Sequence, residues 1–368
     1  MKKIYFLTSL LCSLIAFSQN GAPAAPYYNG FNWTLTGQNL KNALSTKIIN
    51  THTNFLSYTP GIWEASKITD LDPNDATNTN VLLLYGFSNN MCPASTADDN
   101  DHRRRNKDSN GGNNSCEWNR EHVYAKSLGT PPLDDAAPSD AGEDAHHLRA
   151  ADVQRNANRG NRKFATGSGN SGNVGGDWYP GDEWKGDVAR MMMYMYLRYP
   201  TQCLPINVGT GATVAGDTNM INLFLQWNAE DPVSQYEDNR NTYHDSNGTY
   251  AQGNRNPFID NPYLATVIWG GIAAQNRWPA IFLSTDEFVA LERTTVYPNP
   301  SNDNTITISS EVDLDKIEVI NLNGQLIQII KDLSNNQKST TINNLPQGLY
   351  LLKLSSGNAV STKKIIIN

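Results

Sequence analysis

The composition of the chain changes near residue 293, and this change constrains the fold more than any other feature. Residues 293–368 contain no tryptophan and no cysteine, and short apolar runs alternate there with turn residues. This pattern predicts strands at 305–308, 317–320, 325–329, 347–354 and 363–367. Several short strands in so few residues predict a small all-β sandwich.

The preceding residues 19–292 are expected to form a second, larger domain, because 368 residues exceed the size of one average domain. Apolar periodicity predicts helices at about 39–58, 187–199, 223–227 and 264–272. The methionines of 187–199 are interpreted as core residues, and the polar stretch 94–115 as a loop. The sequence therefore predicts an α+β protein with a mainly helical domain followed by the sandwich.

Residues 1–18 have the pattern of a secretory signal peptide, with Lys2 and Lys3 before an apolar run from Ile4 to Phe17. A membrane anchor is the alternative, but the run is shorter than the roughly 20 residues that span a bilayer. Later segments are also too short to span one. The sequence thus predicts an exported protein with no stable membrane span.

Export permits disulfides, and three cysteines follow the predicted signal. Cys92 and Cys116 bracket a polar loop that a bridge between them would tie down. Cys203 is then expected to be unpaired and buried.

The net charge of −7 does not favour nucleic-acid binding, but the charge is unevenly distributed. Between residues 146 and 163 five basic residues face one acidic residue, a local net charge of +4. The basic residues are Arg149, Arg155, Arg159, Arg162 and Lys163. Residues 103–105 form a second basic group. Such groups are either solvated surface or phosphate contacts, and both interpretations stay open.

Two segments carry the candidate chemistry. The first places Glu121 beside His122, and the second runs from a histidine pair at 146–147 to Asn156. A carboxylate and an amide oxygen suit Mg²⁺, a histidine can activate water, and arginines can bind phosphate. Zinc would require thiolates or several imidazoles at ligand spacing, and the sequence contains no His-Glu-x-x-His motif. The sequence therefore does not favour a zinc protease.

The same segments predict two short antiparallel strands joined by the loop 128–143, followed by a helix from about Ala151. On that helix Asp152, Arg155, Asn156 and Arg159 would share a face. Asn156 would then point back at the strand that carries Glu121 and His122. This arrangement would be a ββα-metal finger.

These residues resemble the bacterial endonuclease I family, which has such a finger. The resemblance covers about residues 80–270 and includes the segments 185–190, 231–233 and 252–260. It departs from the family at Ala125 and Ala150, where proline is common. The resemblance implies one Mg²⁺, or another divalent ion, held by Glu121 and Asn156, with His122 as the general base.

The resemblance also raises the question of which arginine stabilises the transition state. The family's arginine lies in the segment matching 128–143, which contains no arginine here. Arg149 or Arg159 is predicted to replace it. Arg120, Arg155 and Arg162 are predicted to contact the substrate. Residues 252–260 could contact nucleic acid, but we favour a role in locking the core behind the finger.

The C-terminal segment resembles the type A sorting domain of the type IX secretion system of Bacteroidetes. The matching pieces are 297–300, 323–325, 348–350 and the terminal Lys-Ile run. A carbohydrate-binding or adhesive sandwich is the alternative, but no cluster of aromatics suits a sugar platform.

Together these resemblances imply a monomeric, Mg²⁺-dependent endonuclease that cuts DNA and RNA with little sequence specificity and leaves 5′-phosphate products. The protein would pass through the periplasm and the type IX machinery, and then be released or held on the cell surface. One rival is an exported, non-catalytic binding or adhesion protein that works through its sandwich. The other is a zinc-dependent nuclease of the related HNH type.

Overall fold

The computed structural model describes residues 21–89, 101–112, 116–135, 140–282, 291, 293–331, 333, 339–356 and 359–368. The chain divides into two compact units, Met1–Arg277 and Trp278–Asn368. Both helices and strands are present, as an α+β fold requires. The predicted signal peptide at 1–18 and the predicted disulfide partner Cys92 lie outside the described residues.

The first unit contains short helices and four antiparallel strand pairs. Its helices are α1 (Gly37–Thr51), α2 (Trp63–Thr69), α3 (Val153–Arg159), α4 (Lys185–Arg198), α5 (Pro205–Val208), α6 (Asn222–Glu230), α7 (Gln235–His244), α8 (Pro257–Asp260) and α9 (Tyr263–Trp269). Its strands pair as β1 (Asn80–Leu82) with β2 (Arg104–Asn106), β3 (Trp118–His122) with β4 (Leu148–Asp152), β5 (Gly172–Val174) with β6 (Asp177–Tyr179), and β7 (Thr213–Val214) with β8 (Asp217–Ile221). A π-helical turn (Tyr58–Ile62) and two 3₁₀ turns (Lys126–Leu128 and Ala141–Glu143) complete it.

Helix α4 forms the centre of this unit and packs against α1, α6 and α8. Its methionines are buried, so their predicted role as core residues is confirmed. Helix α1 ends at Thr51, earlier than predicted. The chain leaves the helix there because the backbone N–H groups of Thr53 and Asn54 donate to the carbonyl of Gln252. A tertiary contact thus ends a helix that the apolar pattern would extend.

The polar segment 252–260 is buried, which confirms the interpretation that it locks the core. Gln252 accepts a hydrogen bond from the backbone N–H of Ala145, and Asn254 donates to the Tyr194 hydroxyl at 2.8 Å. Arg255 forms an ion pair with Asp260 at 2.6 Å. These buried polar groups are paired, as their desolvation requires.

The predicted loop 94–115 is only partly described, and it contains the short strand β2. Its three arginines are paired: Arg103 with Glu183, Arg104 with Asp72, and Arg105 with Asp152. These ion pairs point to a structural role for this basic group, which is neither of the two interpretations left open above. Cys116 is disulfide-bonded. Cys203 is buried with a free thiol, as predicted.

The second unit begins with the short helix α10 (Pro279–Phe282) and continues with two antiparallel sheets. The first sheet has the order β13 (Ser339–Ile342), β10 (Ile306–Ser309), β9 (Thr295–Tyr297). The second has the order β12 (Leu326–Lys331), β11 (Lys316–Asn321), β14 (Gly348–Ser356), β15 (Ala359–Ile367). Apolar side chains from both sheets share one core, including Ile306 and Ile308 with Val319 and Leu352. This is the predicted β-sandwich, with β9 and β13 as strands that the sequence pattern did not reveal.

No helix in the described part of the chain is long and apolar enough to cross a membrane.

Candidate functional site

The predicted hairpin and helix are present around residues 118–159. Strands β3 and β4 pair antiparallel, with Glu121 opposite Arg149 and His122 opposite Leu148. Helix α3 begins at Val153, later than predicted, because Asp152 is its N-cap and accepts the backbone N–H of Arg155 at 2.8 Å. Asp152 therefore does not lie on the helical face. It is also ion-paired with Arg105.

The alternation of strand β3 divides its side chains between two faces. On one face Arg120 and His122 contact Tyr58, and Trp118 contacts Trp63. On the other face Asn119 bonds to Asn156, and Glu121 bonds to Arg159 and Tyr85. Glu121 and His122 are consecutive and so lie on opposite faces. They nevertheless line the same pocket at the end of the strand.

That pocket has a volume of about 280 Å³. Its lining comes from strand β3, from the turn that follows it, and from the last residues of helix α3. The lining residues are Arg120, Glu121, His122, Ala125, Lys126, Ser127, Asn156, Arg159, Gly160 and Asn161. Helix α3 stops beside the pocket because Gly160 adopts φ +54°, a left-handed conformation that favours glycine.

Glu121 is a buried carboxylate with a defined orientation. Its Oε1 accepts hydrogen bonds from the Tyr85 hydroxyl at 2.9 Å and from Arg159 Nη1 at 3.0 Å. Burial raises the pKa of Glu121 to about 7, and Arg159 and Tyr85 oppose that rise. A divalent cation at Oε2 would favour the ionised form, because opposite charge stabilises a carboxylate.

Asn156 points back at the hairpin, as predicted. Its Nδ2 donates to Asn119 Oδ1 at 2.8 Å and to the carbonyl of Arg120 at 3.4 Å. These bonds leave the Asn156 carboxamide oxygen for another ligand in the pocket that Glu121 also lines. Two hard oxygen donors in one polar pocket fit Mg²⁺, which prefers oxygen and retains several waters.

His122 is held by a single hydrogen bond to the backbone. Its Nε2 lies 2.9 Å from the carbonyl oxygen of Gly142. A carbonyl only accepts, so Nε2 carries the proton and Nδ1 is the basic nitrogen of the neutral ring. Burial, followed by the neighbouring His147, lowers the pKa of His122 to about 3. The ring is therefore neutral near pH 7 and can accept a proton.

The histidine pair belongs to a buried turn before β4, so the prediction that these residues begin the strand is wrong. His146 contacts Asn254 and the rings of Tyr194 and His244. His147 Nε2 lies 2.8 Å from the carbonyl oxygen of Ala141. Bonds from the turn residues to the 3₁₀ turn and to segment 252–260 replace strand pairing here. Of the pair, His147 also contacts the ring of His122, which lines the pocket.

The two arginines predicted for transition-state stabilisation are placed differently. The described residues that line the pocket include Arg159 but not Arg149. Arg149 is 1% exposed, and its guanidinium bonds to Tyr236 at 2.9 Å and to Asp187 at 3.3 Å. Asp187 forms an ion pair with this cation in the core. These contacts favour a structural role for Arg149, and its part in catalysis stays a prediction.

The basic run 146–163 is not a continuous solvated surface. Arg155 and Arg159 are buried with Arg149, and Arg159 binds Glu121 together with the carbonyls of His122 and Val123. Arg155 and Arg162 line a second polar pocket of about 360 Å³ beside helix α3. Of the two interpretations left open, a solvated surface does not fit these buried arginines, and phosphate contact stays a prediction. Asn158, Asn173 and Trp178 contribute to its lining.

Sequence reasoning missed three contributors to the first pocket. Tyr58 stacks on His122, Tyr85 bonds to Glu121, and the turn Ala141–Glu143 anchors the histidines. No motif or spacing in the sequence connects Tyr58 to His122, because only the folded chain brings them together.

Comparison with known protein families shows to which family the chain belongs. Residues 36–263 match the family model of endonuclease I. The chain belongs to the endonuclease I family. Residues 295–368 match the secretion system C-terminal sorting domain. An endonuclease I domain therefore precedes a type IX sorting domain, and the predicted resemblances are both confirmed.

The relatives of this endonuclease I family member are secreted proteins. An extracellular ribonuclease of Bacillus subtilis strain 168 is 41% identical over 266 residues, which cover 67% of this chain and 82% of the relative. An extracellular ribonuclease of Bacillus amyloliquefaciens is 41% identical over 246 residues, covering 64% and 75%. The family and the sorting domain together identify a secreted nuclease. The non-catalytic adhesion alternative is set aside on this ground.

Among solved structures, PorZ, a surface component of the type IX secretion system of Porphyromonas gingivalis, aligns with a TM-score of 0.20. The alignment has 13% identity and covers 23% of this chain and 12% of PorZ.

Proposed function

We propose that this secreted nuclease is a Mg²⁺-dependent endonuclease that hydrolyses phosphodiester bonds of DNA and RNA with little sequence specificity. Its products would carry 5′-phosphates and 3′-hydroxyls. One observation carries the proposal: Glu121, His122 and Asn156 line the same pocket. An oxygen pair for a hard cation and a neutral imidazole are the groups that metal-assisted phosphodiester hydrolysis needs.

Glu121 and Asn156 would hold the cation through a carboxylate oxygen and the carboxamide oxygen. When bound, Mg²⁺ would polarise the scissile phosphate and stabilise negative charge on the leaving 3′ oxygen. Within the described residues no group of three or more His, Cys, Asp or Glu side chains is arranged to hold a metal ion. The proposed pair of oxygen ligands is a smaller set that includes an amide.

His122 would act as the general base through Nδ1. It takes a proton from the water that attacks phosphorus, the P–O3′ bond breaks, and the 3′ oxygen leaves with a proton from solvent. Nε2 keeps its proton on the carbonyl of Gly142, so Nδ1 stays the basic nitrogen during the transfer. Burial and His147 lower the pKa of His122 to about 3, and the negative charge of a bound phosphate would oppose this lowering.

Arg159 would act as a positioning group for the metal ligand. Its guanidinium fork connects Glu121 to the carbonyls of His122 and Val123 and thereby fixes the end of strand β3. Its place in the pocket lining also puts its positive charge beside the site of the scissile phosphate. We assign it, rather than Arg149, to the electrostatic part of catalysis.

Substrate binding is assigned to arginines on either side of helix α3. Arg120 lines the catalytic pocket, and Arg155 and Arg162 line the second pocket. Contacts of this kind go to phosphates, which are the same for every base, so they support binding without sequence specificity. The relatives are named extracellular ribonucleases, which supports RNA as a substrate alongside DNA.

The proposal is tested by digesting supercoiled plasmid and single-stranded RNA with the purified secreted form, in Mg²⁺ and in EDTA. Cleavage of both in Mg²⁺ but not in EDTA is expected, with ends that a ligase accepts without prior phosphorylation. His122→Ala should lower the rate by about 10² to 10⁴-fold, because a positioned general base contributes that much. Full activity in EDTA, or of His122→Ala, would contradict the mechanism. Full activity with Zn²⁺ alone would favour the HNH rival.

For the C-terminal sandwich we propose a role as an export address with no part in catalysis. It has its own apolar core, and the proposed catalytic residues all lie in the first unit. A chain without residues 293–368 should keep its specific activity but fail to reach the medium of its native host. A folded but inactive truncated chain would contradict this assignment, as would normal export without the sandwich.

A further inference from the structure

The ring of His122 is enclosed by a stack of side chains from two distant parts of the chain. Tyr58 stacks on it with ring centroids 5.4 Å apart and planes inclined by 27°. The Arg120 guanidinium carbon lies 3.5 Å from the Tyr58 ring centroid and 4.1 Å from that of Trp63. Arg120 thus contacts both Trp63 and Tyr58, and Tyr58 also contacts His122. Cation–π attraction holds Arg120 against the two aromatic rings.

The backbone of Tyr58 is fixed through both its N–H and its carbonyl. Its N–H donates to Glu143 Oε1 at 2.8 Å. Its carbonyl accepts a hydrogen bond from Arg120 Nη1, which also donates to the Thr59 hydroxyl at 3.1 Å. Tyr58 is therefore placed by the same strand, β3, that carries His122, and by the turn Ala141–Glu143.

The 3₁₀ turn Ala141–Glu143 contacts both histidines and Tyr58. The carbonyl of Ala141 binds His147, the carbonyl of Gly142 binds His122, and the side chain of Glu143 binds the backbone of Tyr58. The His147 ring lies 5.7 Å from the His122 ring, inclined by 52°. The His122 ring is thus in contact with Tyr58 and His147, while one hydrogen bond at Nε2 sets its tautomer.

One hydrogen bond and the backbone of His122 leave the ring free to tilt about the Nε2–carbonyl direction. A packed ring partner removes that freedom, because a planar contact at stacking distance resists rotation of either ring.

We propose that Tyr58 is a positioning residue for the general base, and that it acts by holding the His122 ring so that Nδ1 faces the water to be activated. Arg120 and Glu143 support it by fixing the Tyr58 ring and backbone. The inference rests on the proposed function, in which His122 is the base. It also gives Arg120 a second role beside its predicted contact with substrate.

The experiment uses the full secreted protein and compares Tyr58→Leu, Tyr58→Phe and Tyr250→Leu. Tyr250 is a matched control, because it packs against the same apolar cluster of Leu56, Ile62, Ala65, Ala145 and Leu148. The ring partners of His122 in the described part of the chain are Tyr58 and His147. Both leucine variants therefore lose similar packing, but only one loses the stack.

Tyr58→Leu is expected to lower kcat about 10- to 100-fold with little change in KM, as a misplaced catalytic group does. Tyr58→Phe keeps the ring and should restore kcat to near the wild-type value. Tyr250→Leu should leave kcat within about twofold. In a His122→Ala background, Tyr58→Leu should cause no further loss, because interacting residues give non-additive effects. Nitrogen NMR of His122 should show the Nε2–H tautomer in both the wild type and Tyr58→Leu, because the hydrogen bond to Gly142 remains.

Equal kcat values for the two leucine variants would overturn the inference, and so would an equal loss from Tyr58→Leu with and without His122. A phenylalanine variant as slow as the leucine variant would also overturn it, since the stack needs only the ring. These outcomes are separate from failure of the proposed function, which would appear as wild-type activity in EDTA or as an active His122→Ala enzyme.

Discussion

Arg159 donates to Glu121 Oε1 at 3.0 Å, and this pair connects the end of helix α3 to the strand that carries the candidate chemistry. The same guanidinium also donates to the carbonyls of His122 and Val123, each at 2.9 Å. Arg159 is 1% exposed, so water cannot replace these bonds if the side chain is removed.

Arg159→Ala should therefore lower the free energy of unfolding by about 3–5 kcal/mol at pH 8, because it leaves a buried carboxylate and two carbonyls unpaired. Arg159→Lys should lose part of this, since an ammonium lacks the planar fork. Arg162→Ala, which removes a half-buried arginine from the next turn, should cost under about 1 kcal/mol. Urea denaturation measures all three. A stable Arg159→Ala protein would show that the network is not needed for folding.

Glu121→Ala and Asn156→Ala should each raise the Mg²⁺ concentration for half-maximal activity by about tenfold or more, since each removes one of only two protein ligands. Excess Mg²⁺ should restore part of the rate. Gln154→Ala is the matched control, because Gln154 lies on the same helix and does not line either pocket beside it. Mg²⁺ titration curves of both ligand variants that overlay the wild type would rule out these ligands.

Arg162→Gln should flatten the salt dependence of nucleic-acid binding by about one counterion, because one phosphate contact is lost. Binding of a fluorescent single strand is measured by anisotropy from low to moderate salt, in the His122→Ala background to prevent cleavage. Arg103→Gln is the control, since Arg103 pairs with Glu183 and does not line either pocket beside helix α3. Parallel slopes for wild type and Arg162→Gln would mean that the second pocket does not bind the strand.

His146 should contribute stability that is lost in acid. Burial, with Arg240 and His52 adding to it and Asp144 opposing it, lowers its pKa from 6.5 to about 4. The unfolded chain therefore binds one more proton between these values. The stabilisation is complete above about pH 6.5 and falls by roughly 1.4 kcal/mol per pH unit down to about pH 4.

His146→Gln removes this proton linkage, so its unfolding free energy should decline less steeply than that of the wild type between about pH 6.5 and 4. Above pH 7 the two curves should run parallel, which serves as the internal control. Unfolding in urea across this range measures both. Parallel curves below pH 6 would show that His146 is not buried as a neutral ring.

Local sequence patterns predicted the helices and strands whose formation depends mainly on local side-chain spacing. Periodicity placed helix α4 and most strands of the sandwich, because side-chain spacing decides which face is buried. The placement of Glu121 and Asn156 beside one pocket also followed from the order of the strands and the helix. The turn that holds the histidine pair was misplaced as strand, since some of its hydrogen-bond partners, in segment 252–260, lie more than 100 positions away.

The sequence by itself determined the two-unit organisation, the family of each unit, and the residue types available for a metal and a base. Only the tertiary structure decided which charges remain available for function. Arg149 and Arg159 look equivalent in the sequence, yet Asp187 neutralises one in the core and Glu121 draws the other to the pocket. The contact of Tyr58 with His122 likewise exists only in the folded chain. A charge or ring acquires its role from the partners that folding brings to it, and the desolvation of those partners depends on the whole core rather than on any local run of residues.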